Sequence, residues 1–148
     1  MSSKFGQNKF KKQSTSERIV NTRTERSVAK EKQLICFNFK DFDYNQCPPG
    51  QTHNEWQDIK LLSAFFDKLY QLSDKSITEA QQHNMITIYK EFPPKSDFNI
   101  PKYIKGSVHW AVIKDIGGQK ARAAGYVDGN TFYVVFLDKD HLFYKMKK

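Results

Sequence analysis

Six consecutive apolar residues, Phe132 to Leu137, constrain this chain more than any other feature. All but Leu137 are β-branched or aromatic, and the run is too short for a core helix. It therefore reads as a strand buried on both faces, which needs neighbours in its plane and a covering layer above and below. The surrounding stretch, Ser107 to Tyr144, supplies the in-plane neighbours. Gly117-Gly118 and Asp128-Gly129-Asn130 separate three β-prone runs, and Asp-Gly suits the φ > 0 positions of tight hairpins. The spacing predicts a three-strand antiparallel meander with its last strand central.

The covering layers must come from upstream. Leu34 to Phe39 alternates Ile35, Phe37 and Phe39 with Cys36, Asn38 and Lys40, the period of a strand. Aromatics on such a strand can stack RNA bases, but the paired motif of an RNA-recognition sheet is absent, so core packing is the better account. Pro48-Pro49-Gly50 forces a loop. Thr52 with Glu55 forms a capping box, and Trp56, Ile59, Leu62, Phe66 and Leu69, flanked by Phe65 and Leu72, continue as one helix to about Leu72. Ser76 with Glu79 opens a second, short helix ending near Asn84, and Met85 to Tyr89 is a short strand or an extended segment. Pro93-Pro94 and Pro101 make Glu91 to Gly106 a stiff irregular connection, of the kind that carries function or covers a partner. The expected class is α+β: an antiparallel sheet, made of the N-terminal strand and the C-terminal meander, packed by one or two helices. It forms one domain over residues 34–148.

The net charge of +8 is concentrated at the ends. Residues 1–33 carry nine Lys/Arg against Glu17, Glu25 and Glu31, and the last four residues add Lys145, Lys147 and Lys148. Residues 34–144 are left at −1. The arm 1–33 has too few apolar residues to offset ordering and is expected to be disordered. Basic ends around a neutral body suit a polyanion, or simply keep the chain soluble. No apolar run approaches a membrane span and no signal peptide is evident, so a cytoplasmic protein without a membrane partner is expected. Cys36 and Cys47 lack CxxC spacing and read as free thiols.

Within the C-terminal block, Trp110, Lys114, Arg122, the run Phe132 to Leu137, and His141 with Tyr144 follow an order that resembles the RelE/ParE toxin superfamily. The resemblance covers residues 34–144 in element order and about 107–144 in motif. It implies either endoribonuclease activity on messenger RNA at the ribosome or inhibition of gyrase, with an antitoxin protein as a further partner. The nuclease branch implies metal-independent chemistry in which the RNA 2′-OH attacks the adjacent phosphate. A protein serving that reaction needs a proton acceptor, a proton donor and cations for the phosphorane charge.

The block offers such groups. Lys120 and Arg122, two apart on one strand, should share a face, with Ala124 and Tyr126 as its continuation. Arg122 can bind two phosphate oxygens at once, His141 titrates near neutrality, and Tyr144 can stack on a base or orient the ribose. These four residues are the candidate catalytic set; Lys114, Lys102, Lys105 and Lys145 are candidate RNA contacts. His141 and Tyr144 would point to opposite faces of a strand, so a turn must bring them together. The nuclease reading also requires the His141 ring on the Arg122 side, and a guanidinium not buried against an acid.

Other chemistries have less support. Asp41/Asp43 and Asp138/Asp140 are D-x-D pairs without a third ligand at recognisable spacing, and Cys47 with His53 are too few for zinc. Nucleotide-binding glycine loops and the serine-hydrolase elbow are missing from the sequence, and no cofactor is expected.

Overall fold

The computed structural model describes residues 32–145. The basic arm expected over residues 1–33 lies outside the described residues, save for Lys32 and Gln33, as do the last three residues. In order, the elements are β1 (Cys36–Asn38), α1 (His53–Asp58), α2 (Leu61–Leu72), α3 (Ile77–Gln82), β2 (Ile86–Lys90), β3 (His109–Ile113), β4 (Arg122–Asp128) and β5 (Thr131–Asp138). The five strands form one sheet in the order β1-β5-β4-β3-β2, antiparallel throughout except that β1 runs parallel to β5. The α+β class holds.

Two details of the sheet differ from the sequence expectation. Of the two readings of Met85 to Tyr89 the strand holds, and it joins the meander as a fourth strand, so β4 rather than β5 is central. The apolar run is still interior, with β1 on one side of it and β4 on the other. Its lack of a polar side reflects cover on both faces of the sheet.

Helices supply one cover. Ile86, Ala111, Ile113, Ala121, Ala123, Phe132, Val134 and Leu137 pack there against Trp56, Phe65, Leu72 and Ala80. Both capping boxes are formed. Thr52 accepts from the Glu55 amide while Glu55 accepts from the Thr52 amide, and Ser76 and Glu79 do the same, each box contributing about 1 kcal/mol. The single helix expected from Thr52 to Leu72 is broken at Ile59-Lys60, where Lys60 takes a left-handed φ of 66°. The break has a geometric reason. Residues nine apart on a continuous helix lie about 180° apart, yet Trp56 and Phe65 are both buried, in edge-to-face contact at 5.7 Å. Breaking the helix turns both rings into one core, and leaves Ile59 and Phe66, read as core positions, exposed instead.

The other face carries no helix. Trp110, Val112, Ala124, Tyr126, Val135 and Phe136 are covered by Phe92, Phe98 and Ile104 from the irregular connection and by Phe143 from the C-terminal segment. The stiff loop is therefore the second layer of the fold. A bulge at Val135, where Ala124 pairs with Phe136 but Gly125 pairs with Val134, lets Val135 and Phe136 both face this layer. A Cβ on Gly125 would lie 1.8 Å from the Tyr133 carbonyl oxygen, which is why glycine stands at that point.

Candidate active site

The candidate residues gather where β4 begins and β5 ends, on the loop-covered side of the sheet. Arg122 opens β4 and is the register partner of Asp138, the last residue of β5. Even-numbered positions of β4 point away from the helices, so the Arg122 side chain leaves on the same side as Ala124 and Tyr126. Lys120 lies in the turn before the strand and not on it. Its ammonium still reaches the group, 3.8 Å from the Asp140 carboxylate.

After Asp138 the chain turns instead of extending. His141 has φ 61°, and the buried Asp138 carboxylate accepts from the Leu142 amide at 2.9 Å and the Phe143 amide at 2.8 Å. The Lys139 amide donates to Gln51 Oε1 at 2.8 Å, and the same oxygen accepts from Trp56 Nε1 at 2.9 Å. Phe143 then enters the aromatic layer among Phe92, Phe98, Trp110 and Phe136. Further along, the Asp97 amide donates to the Leu142 carbonyl, and Lys145 pairs with the Asp97 carboxylate at 2.7 Å.

This turn removes the strand geometry that would have separated His141 from Tyr144. The His141 imidazole is held below its ordinary value, first by burial and then by the positive charges of Arg122 and Lys120, with the Asp138 carboxylate opposing them. Tyr144 stacks on Tyr89 of β2 with centroids 4.3 Å apart and planes within 5°. Burial raises the Tyr89 hydroxyl, while Arg122 nearby acts to lower it.

Arg122 is not a free fork. Its Nη1 is 3.3 Å from Asp115 Oδ1, and its side chain is only 12% exposed while that of Asp115 is 52% exposed. The sequence reading required a guanidinium clear of acids, and this pairing weighs against it. It engages one of the two terminal nitrogens at a long distance, and a guanidinium has five N–H donors.

The remaining cations are scattered. Lys114 donates to Asn84 Oδ1 at 3.3 Å, and Lys102 and Lys105 are exposed on the covering loop. Asp41 and Asp138, each half of a D-x-D pair, are occupied: Asp41 accepts a very short hydrogen bond from the Tyr126 hydroxyl, and Asp138 holds amides. Among the described residues no three His, Cys, Asp or Glu side chains form a group able to hold a metal ion. No helix among them is long and apolar enough to cross a membrane.

Sequence reasoning missed Tyr89, Asp115 and Asp138 as parts of this group. Tyr89 was within reach, because Ile86 and Ile88 take the helix side of β2 and put Tyr89 on the other. Asp115 was signalled only by its tolerance of the left-handed backbone it adopts, φ 59°. A separate groove of 550 Å³ lies by α1, α2 and the segment after β1, lined by Phe39, Phe42, Tyr44, His53, Leu62 and Phe66 among others. It is apolar, with few polar groups converging on it, and is less suited to chemistry than the cation cluster. Comparison of the chain with known protein families, with curated proteins and with solved structures finds no match to any of them.

Proposed function

We propose that the chain is a toxin-like endoribonuclease cleaving RNA by metal-independent acid–base chemistry. The observation that carries the reading is that Arg122 opposite Asp138, Lys120 paired with Asp140, and the Asp138-closed turn bearing His141 all lie where β4 begins and β5 ends. A neutral imidazole can accept the 2′-OH proton as the 2′ oxygen attacks phosphorus. Arg122 and Lys120 offset the charge that builds on the phosphorane oxygens. The P–O5′ bond then breaks, Lys120 supplies a proton to the departing 5′ oxygen, and the products are a 2′,3′-cyclic phosphate and a 5′-hydroxyl. The outer face of Tyr144, backed by Tyr89, is a platform for the neighbouring base. Lys102, Lys105, Lys114 and Lys145 are the proposed phosphate contacts along the strand, and ribosome-bound messenger RNA is the proposed substrate.

The test is incubation of the purified chain with RNA, with and without ribosomes, and mass analysis of the new ends. Cyclic-phosphate ends that disappear in Arg122→Ala and in His141→Ala support the enzyme. Intact RNA under both conditions overturns it.

A second reading is favoured by the Arg122–Asp115 pair: a guanidinium already engaged by a carboxylate suits a scaffold better than a phosphate clamp. On that reading the chain is a non-catalytic module that binds nucleic acid or a protein partner such as gyrase or an antitoxin. Growth arrest of bacteria expressing the chain that survives Arg122→Ala and His141→Ala would favour it.

A further inference from the structure

We infer that Asp138 is the positioning residue of the site: its carboxylate, by holding the Leu142 and Phe143 amides, fixes the turn that presents His141 to Arg122. The inference rests on the nuclease reading above and adds to it a residue that touches no substrate.

Asp138 is fully buried at the end of a strand that is otherwise apolar. A buried carboxylate is costly unless its oxygens are paired. Here each oxygen receives one backbone amide, Oδ1 from Leu142 and Oδ2 from Phe143. Those amides belong to the two residues that follow His141, so the carboxylate closes a ring across the turn with His141 at its apex. The left-handed backbone at His141 is unfavourable for a residue with a side chain, and needs such a closure to persist.

A second clamp fixes the other end of the turn. Gln51 Oε1 receives the Lys139 amide and is itself held by the buried indole of Trp56. The turn is thus tied at Lys139 to the helix layer and at Leu142 and Phe143 to the sheet. Between these ties lie His141 and Asp140, whose carboxylate pairs with Lys139 at 2.9 Å and with Lys120 at 3.8 Å. The charged groups facing the imidazole are Arg122, Lys120 and Asp138, and Asp140 stands next to it in the chain.

Asp138→Asn tests this in the full chain. The carboxamide keeps the volume and one acceptor oxygen but sets an NH₂ against an amide donor. It also removes the negative charge that favours the imidazolium. The expected result is a retained fold, a His141 ring titration seen by NMR that moves to lower pH, and an acid limb of the RNA-cleavage profile that moves with it. The turnover rate should fall by about tenfold or more with KM changed less than about twofold. A purely structural carboxylate would lower the melting temperature and shift the ring titration through the lost charge alone, while the folded variant kept the wild-type turnover rate, which would overturn the inference.

If Asp138→Asn does not fold, the wild type gives the answer. The Leu142 and Phe143 amide shifts should inflect as Asp138 protonates in acid, with the His141 ring shift following at the same pH. A ring shift that ignores that step overturns the inference. Lack of cleavage by the wild type is a different failure: it removes the nuclease reading and with it the catalytic use of the turn, whatever the ring titration shows.

Discussion

Arg122 and Asp115 form an ion pair at 3.3 Å that joins the first residue of β4 to the left-handed residue just beyond β3. The pair brakes the proposed site, since a phosphate must share the guanidinium with a carboxylate. Asp115→Asn keeps a hydrogen-bond acceptor but removes the competing charge. It should tighten RNA binding several-fold and change stability by less than about 1 kcal/mol, because half of the Asp115 side chain is already in water. Fluorescence anisotropy at two salt concentrations checks it. Equal or weaker binding by the variant would mean the fork does not meet phosphate. Arg122→Lys should bind RNA more weakly than wild type, since a point charge cannot hold two oxygens at once.

The pH dependence of stability carries a signature of the turn. His141 has a folded value below its ordinary 6.5, so between the two the unfolded chain holds more protons. Stability should therefore rise with pH through that window, be complete above 6.5, and fall again on acidification. Asp138 has the opposite slope. Its folded value is raised above 3.8, first by burial, so the folded chain holds more protons just above 3.8, and stability falls as pH rises through that range. Denaturant midpoints for wild type and His141→Asn between pH 4 and 7.5 separate the two. The substitution should flatten the upper window and leave the lower slope. An unchanged upper window would mean the ring is not desolvated.

At high pH the two tyrosines that donate to Asp41 take over. Tyr103 is pushed up to about 12, first by burial and then by Asp43 and Asp41. The Tyr126 hydroxyl, which donates to Asp41, is also raised, first by burial and then by that hydrogen bond and the Asp41 charge. With folded values above the unfolded 10, both groups hold their protons longer in the folded chain, so stability should decline as pH rises past 10. Tyrosinate absorbance should show Tyr103 and Tyr126 ionising late, with Tyr89 also delayed by burial, and Tyr126→Phe should remove one late step. Simultaneous ionisation of all of them near 10 would contradict the Asp41 clasp.

Legibility followed the range of the forces involved. Capping boxes at Thr52 and Ser76 were readable because each is closed within four residues. The break at Lys60 was not readable, because α1 and α2 together give an uninterrupted apolar pattern, and only the need to bring Trp56 and Phe65 into one core decides against a single helix. The candidate site divided in the same way. Arg122, His141 and Tyr144 were legible as residue types in order, whereas the path of the chain through His141 depends on a turn closed by Asp138, which the sequence offers only as another acid in a polar run. Asp115 was invisible as a competitor for the same reason: its contact with Arg122 exists only across the β3–β4 connection.

The bulge at Val135 depends on the absence of a Cβ at Gly125. An alanine there would set its Cβ 1.8 Å from the Tyr133 carbonyl oxygen, which is backbone and cannot swing aside. The strands would have to part or the bulge dissolve, so Gly125→Ala should cost about 3 kcal/mol or more in denaturant unfolding. A loss under about 0.5 kcal/mol would mean that β4 and β5 do not meet as described.

Packing under the turn sets a last expectation. Phe143 is fully buried and touches Phe92, Phe98, Trp110 and Phe136. Truncation to alanine should cost about 3–5 kcal/mol, since the neighbouring rings come from three separate segments and cannot all collapse into the space. Phe143→Leu fills most of that space and should lose much less. Because the Phe143 amide is one of the two that Asp138 holds, the alanine variant should also free the turn, raising hydrogen exchange at Leu142 and Phe143 above that of the β5 amides. Exchange that stays slow in a destabilised Phe143→Ala would mean that the carboxylate alone holds the turn, and that the aromatic layer contributes stability without shaping the site.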